Sequence, residues 1–346
     1  MKLKDSPRPP KPPKDNGIGI HFGDVRIANF EGCLPALEDL HIKWVVLASE
    51  SEEDIGRVSA RLLNRGIMPV ERIQRRINGA ADFGILSRRC PGPYKIIYNE
   101  PGIDSGAWRK DEIPDNYQDI FTNNWIAQAH KVRAAGYKPG LQIGDPEELY
   151  DFLIEMKRRG DDSLWPDMFL ALHLYPPLTK PPLHPESPYI CTPACTEHYF
   201  APQGFRHFAV ACEAVVGEPL PMIVTEGGYD DGQGTPEQRA KWMTTVYRWF
   251  ESGEAPDYLL AWCPFILGSE YFHGFSWLTN NRHREMVEAV KAMGEWERGK
   301  PTPVFPPETP RDWRVVSPWM TENGAREEGI ALVGNGFSNY RLEERK

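Results

Sequence analysis

The sequence predicts a closed barrel of eight parallel strands wrapped by helices, an α/β fold of the (β/α)8 TIM-barrel type. Three observations carry that expectation. Between residue 17 and about residue 298, apolar strand-like stretches alternate with amphipathic helix-like segments, and the strand-like stretches number eight. Five or six would suit an open doubly wound sheet; eight suit a barrel. The chain has 346 residues, enough for one such barrel of about 250 residues with extended loops. Two of the strands also end in glutamate, Glu100 and Glu226, and a barrel would aim both at one mouth.

Taken in order, strand one is expected at 17–24 (GIGIHFGD), with only a short helical segment after it at 30–40. Strand two, 42–49 (IKWVVLAS), leads into an amphipathic stretch at 53–65. Strand three, 68–73 (MPVERI), enters a connection that Gly79, Gly84, Pro91 and Gly92 mark as partly irregular. Strand four, 94–101, breaks at Pro101 and Gly102 with Asn99 and Glu100 at its C-terminal tip. Helix 117–135, strand five at 138–144 and helix 146–159 follow. Strand six, 168–176 (MFLALHLYP), precedes a proline-rich excursion at 177–203, which reads as a loop over the barrel mouth. Helix 204–216 leads to strand seven, 222–229, where Glu226 is the tip and Gly227-Gly228 turn the chain away. Helix 236–251, strand eight at 258–266 and helix 283–298 complete the series. Residues 1–16 read as a polyproline-type arm, with five prolines in the first 15 positions, 17–300 as the barrel, and 301–346 as a proline-rich strap and tail.

Composition narrows the partners. A net charge of −9 argues against a nucleic-acid partner, while a neutral polymer is indifferent to that field. No apolar run approaches the roughly 20 residues that span a bilayer, and the basic, proline-rich start lacks the apolar segment of a secretory signal. The expectation is a soluble chain without a membrane partner, cytoplasmic and monomeric by default. Six scattered cysteines are not a disulfide framework. Cys191, Cys195 and His198 form C-x3-C-x2-H, but a structural zinc needs a fourth ligand, so a local disulfide or free thiols fit better and no metal is expected. Eleven Trp, 13 Tyr and 15 Phe exceed ordinary need; most belong in the core, and only those near strand ends are candidates for stacking on sugar rings.

Two carboxylates converging from separate strand ends are what cleavage of a glycosidic bond requires, one as proton donor and one as nucleophile or base. The same pair would also serve as ion-paired supports of the barrel mouth. On strand six, His173 and Tyr175 are two apart and so face the same way, toward the lumen or mouth. His21 at the end of strand one is either a substrate contact or structural.

Asn99-Glu100-Pro101 at the end of strand four, Glu226 at the end of strand seven and His173-Leu174-Tyr175 on strand six resemble the retaining glycoside hydrolases of clan A, the (β/α)8 superfamily of cellulase-, mannanase- and galactanase-like enzymes. The resemblance spans about residues 17–298, and its motifs are short, so strand position carries more weight than letters. It implies Glu100 as acid/base and Glu226 as nucleophile, with Asn99 on the sugar 2-hydroxyl and Tyr175 hydrogen-bonded to the nucleophile. Glu100 would hold a proton at rest while Glu226 stays ionised. The resemblance also implies Trp262 on strand eight as the floor of the cleavage subsite. Tyr271, Phe272, His273 and Trp277 in the following loop, and Trp108 after Glu100, are further stacking candidates. One feature departs: many clan families carry an Arg near the end of strand two, and here Arg72 or Arg75 is the nearest substitute. The reading is a retaining hydrolase of a neutral β-linked polysaccharide or oligosaccharide that needs no cofactor. The alternatives are a catalytically silent carbohydrate-binding barrel or a cell-wall muramidase.

Overall fold

The computed structural model describes residues 8–23, 25–77, 81–102, 107–108, 112–175, 204–269, 271–279, 282–299, 313–316 and 341–344. Eight parallel strands run in sequence order: β1 (Gly19–Phe22), β2 (Trp44–Ser49), β3 (Met68–Ile73), β4 (Tyr94–Ile97), β5 (Lys138–Gln142), β6 (Phe169–Leu174), β7 (Met222–Gly227) and β8 (Leu259–Trp262). The ring closes where Ile18 bridges Trp262 in parallel and the Trp262 N–H donates to the Gly17 carbonyl at 3.0 Å. Helices α1 (Ile27–Asp39), α2 (Glu52–Leu63), α3 (Phe83–Arg88), α4 (Tyr117–Ala134), α5 (Pro146–Arg159), α6 (Phe205–Val216), α7 (Pro236–Ser252) and α8 (Arg284–Lys291) fill the connections. A separate antiparallel pair joins Trp313–Val316 to Arg341–Glu344. The eight-stranded (β/α)8 barrel is the expected fold. The excursion at 177–203, with Cys191, Cys195 and His198, lies outside the described residues.

Local chemistry sets the helix ends. Ser51 caps α2 by accepting from the Asp54 N–H, with Glu52, Glu53 and Asp54 in the positive first turn. Asp145 caps α5, Pro146 supplies its first turn, and Gly160 ends it at φ 79°. Thr235 and Gln238 form a reciprocal capping box on α7. α1 begins at Ile27, three residues before the helical stretch expected from 30.

The strand period of two divides the core into layers. Trp44 and Val46, Met68 and Val70, Tyr94 and Ile96, and Phe169 and Ala171 fill the lumen, joined by Ile223, Ala261 and Cys263. Crowding there explains Gly140 on β5: an added Cβ would fall 2.4 Å from the Phe169 ring. The opposite parity faces the helices. Residues 8–16 close the N-terminal end, where the Tyr94 hydroxyl donates to the Pro10 carbonyl and Trp44 Nε1 donates to Asp15 Oδ1 at 2.7 Å. With one end packed shut, polar side chains collect at the other.

Candidate active site

Lumen parity carries several polar residues to the C-terminal mouth. Beyond Met68 and Val70, the next inward position on β3 is Arg72; beyond Phe169 and Ala171, the next on β6 is His173. Two irregularities bring in the glutamates. Leu172 pairs with Val224 but His173 pairs with Glu226, so a register shift leaves Thr225 out of step and puts Glu226 beside His173. On the other side, β4 ends at Ile97 because Tyr98 is left-handed, with φ 61°. That turn sends the Tyr98 ring outward against Phe83 and Phe121. Asn99 and Glu100 then line the mouth with Arg72, Tyr175 and Glu226.

Glu226 is buried and held from several sides. Arg72 Nη1 donates to its Oε1 at 2.6 Å, and the Tyr175 hydroxyl donates to its Oε2 at 2.9 Å. Burial alone would raise its pKa, but the charges of His173 and Arg72, with the Arg72 hydrogen bond, more than offset this and hold the carboxyl well below the usual carboxylate range. Tyr175 is pushed the other way, well above the ordinary phenol, by burial first and then by Glu226. It stays a donor. Arg72 Nη1 also donates to Asn99 Oδ1 at 2.6 Å, and Nη2 lies 3.1 Å from His21 Nε2. Arginine has only donors, so His21 accepts through Nε2 and is neutral. Burial, then the Arg72 charge, lowers its pKa to about 3.

Glu100 reaches the same centre through His173. Its Oε1 is 2.6 Å from His173 Nδ1, while His173 Nε2 is 3.6 Å from Glu226 Oε1. One imidazole thus stands between the two carboxyl groups. The backbone at Glu100 is also left-handed, with φ 34°, and its N–H donates to the side-chain oxygen of buried Gln142 on β5.

The mouth opens into a cavity of about 780 Å³. Glu100, Glu226, Asn99 and Tyr175 line it as expected, whereas His173 does not and lies behind Glu100, bonded to it. The three tryptophans do not. Trp262 is buried in the layer between strands and helices, because the inward positions of β8 belong to Ala261 and Cys263. Phe265 lines the cavity instead. Trp277 is fully buried beneath the loop after β8, and Trp108 is buried in the same outer layer. Of the two arginines proposed as substitutes, Arg72 grips Glu226, whereas Arg75 bonds to the Glu50 carbonyl and to Glu52. Sequence reasoning passed over Gln142 and Phe265. Gln142 was detectable as an amide two residues beyond Gly140, on the lumen face of its strand. Among the described residues no cluster of three metal-ligating side chains occurs, and no helix is long and apolar enough to cross a membrane.

No family model matches the chain, and no curated protein matches it in sequence. Solved structures do match. A GH128 (subgroup II) endo-β-1,3-glucanase from Sorangium cellulosum is similar over 81% of this chain and 99% of its own, at 14% identity and a TM-score of 0.52. A family 39 glycoside hydrolase from Bacteroides cellulosilyticus is similar over 81% of this chain and 64% of its own, at 12% identity and a TM-score of 0.55. A 4-O-α-L-rhamnosyl-β-D-glucuronidase from Fusarium oxysporum is similar over 82% and 72%, at 11% identity and a TM-score of 0.53. At such identities the likeness is one of fold: the chain has the (β/α)8 barrel of these enzymes.

Proposed function

We propose that the chain is a retaining glycoside hydrolase of the clan A type, acting on β-linked neutral saccharides, with Glu226 as nucleophile and Glu100 as acid/base. The observation that carries this reading is the asymmetry of the two carboxyl groups around His173. Glu226 is held ionised by the charges of His173 and Arg72 and is oriented by the Tyr175 hydroxyl, so it is the one suited to attack and unsuited to carry a proton. Glu100 is bound instead through its Oε1 to His173 Nδ1 and is bonded to neither Arg72 nor Tyr175, so it is the carboxyl left to exchange a proton with the leaving oxygen.

The chemistry follows in two displacements. Glu226 attacks the anomeric carbon as the bond to the leaving oxygen breaks, and Glu100 gives that oxygen its proton. The product is a glycosyl ester on Glu226 and a carboxylate at Glu100. Glu100 next takes a proton from water, whose oxygen attacks the anomeric carbon from the vacated side and releases Glu226. Two inversions leave the configuration unchanged. Asn99, oriented by Arg72, is the donor offered to the sugar 2-hydroxyl. No cofactor enters either step.

Chemical rescue tests the assignment. Glu226→Ala is expected to lose turnover of every substrate, because no glycosyl-enzyme forms without the nucleophile. Glu100→Ala is expected to keep its first step on an aryl glycoside with a good leaving group and to lose the second. Added azide, which needs no base, should then restore turnover and give a β-glycosyl azide from a β-glycoside. Rescue of Glu226→Ala with the retained β-glycosyl azide, and of Glu100→Ala with the inverted one, would reverse the roles. Saccharide binding by the unmodified protein without turnover would favour the silent carbohydrate-binding barrel.

A further inference from the structure

Apolar side chains exposed one at a time need no explanation, but a contiguous exposed group does. Four large hydrophobic residues are exposed among the described residues, and two of them, Tyr271 at 84% and Phe272 at 44%, are adjacent on the rim of the cavity. They end a continuous series of rings. Tyr175, bonded to Glu226, lies 6.5 Å from Phe265; Phe265 lies 5.0 Å from Phe272; and Phe272 lies 4.7 Å from Tyr271, each contact edge to face. The wall thus runs from the nucleophile out to solvent.

The loop that carries it is tied in place. The Phe272 N–H donates to Ser269 Oγ at 3.0 Å, and the Ser269 N–H donates to Ser276 Oγ at 3.1 Å. The Trp277 and Leu278 N–H groups donate to the Ile266 and Leu267 carbonyls at 3.0 Å, and buried Trp277 anchors the segment from below. Little ordering remains to be lost when a ligand lands on it. The other side of the cavity is polar, with Glu50 from the end of β2 and Gln74 and Arg76 after β3. One aromatic wall and one hydrogen-bonding wall match a pyranose, whose C–H face packs on the electron-rich faces of aromatic rings while its hydroxyls point outward at the edge.

We propose that Tyr271 and Phe272 form a distal sugar-binding platform, so that the substrate of this site is an oligosaccharide or polysaccharide chain and not a single glycoside. The inference rests on the hydrolase reading above and adds the substrate's length. A wall of four successive rings outspans one pyranose, and Tyr271 at its far end touches only a sugar residue remote from the reacting bond. Such remote contacts raise kcat/KM with chain length and leave short substrates unaffected.

The test uses β-1,3-gluco-, β-1,4-gluco- and β-1,4-manno-oligosaccharides of two to six residues, with an aryl monoglycoside as the short control. In the unmodified protein kcat/KM should climb with length. In Tyr271→Ala the climb should be blunted by about tenfold on the longest chain that is cleaved, while the aryl glycoside is turned over at the ordinary rate, and Tyr271→Trp should restore the climb. Binding of the same chains to Glu226→Gln, with and without Tyr271→Ala, should show the same loss in affinity. An unaltered length dependence in Tyr271→Ala, or cleavage with no length dependence at all, overturns the platform and leaves the hydrolase intact. Neither binding nor cleavage of any saccharide, the aryl glycoside included, overturns both.

Discussion

Replacing Arg72 with methionine removes the guanidinium that donates to the buried Glu226 carboxylate at 2.6 Å and leaves a side chain of similar reach. An opposite charge at that range holds a carboxyl down by about 1–3 pK units, and each unit is about 1.4 kcal/mol, so the loss is about 1.4–4 kcal/mol. The sign follows from linkage. In the unmodified protein the depressed pKa of Glu226 adds stability that is complete above the ordinary carboxylate range and is lost as pH falls through the folded value. In Arg72→Met His173 remains, but the Arg72 charge and hydrogen bond no longer oppose burial, so the pKa climbs and the ionised group contributes less stability at neutral pH. Urea denaturation at pH 7 and pH 2 reads this without any substrate: the gap between the two proteins should be widest at pH 7 and should narrow toward pH 2, closing only below the depressed Glu226 value. On a cleaved substrate, the acid limb of kcat/KM should move up by about 1–3 units. A gap of the same size at both pH values would mean that Arg72 acts by packing alone, and the electrostatic account of Glu226 would fail.

Gln142→Leu leaves the Glu100 N–H without its side-chain acceptor beside a left-handed backbone. A lost buried hydrogen bond of about 1–3 kcal/mol, expressed as misplacement of the acid, should lower kcat roughly tenfold to a hundredfold with KM little changed. An equal rise in KM instead would place Gln142 in substrate binding. On the face of β3 opposite Arg72, Lys95 on β4 is buried against Glu71, which also accepts from the Gly92 N–H at 2.7 Å. Glu71→Ala strands the ammonium and should destabilise the barrel by about 3–5 kcal/mol in urea while kcat at 25 °C stays unaltered; a smaller effect would mean that Lys95 reaches water.

The barrel was legible because eight apolar stretches each have one strand's length and the segments between them have a helix's period. Regular parity also made the inward placing of His173 readable, two residues beyond Ala171. Where parity breaks, letters alone mislead. Counting by twos from Ile223 points Thr225 inward, and only the register shift opposite His173 brings Glu226 there. Counting from Ile96 points Tyr98 inward, and only its left-handed turn hands the lumen to Asn99 and Glu100. Both glutamates were found through their place at strand ends, not through periodicity. Trp262 failed for the converse reason: its position matched a motif while its neighbours Ala261 and Cys263 held the lumen. Trp277 and Trp108 sit in loops, where burial is set by long-range packing that no local pattern encodes.

The nucleophile can be trapped directly. A 2-deoxy-2-fluoro glycoside with a good leaving group, matched to a sugar the protein cleaves, forms the glycosyl ester readily but hydrolyses it slowly, because the fluorine destabilises the cationic character of both transition states. Mass spectrometry of the digested protein should then find the added sugar mass on the peptide that contains Glu226 and on no other. Turnover of the parent glycoside with inverted product and no adduct, or an adduct on a different carboxylate, would contradict a double displacement at Glu226.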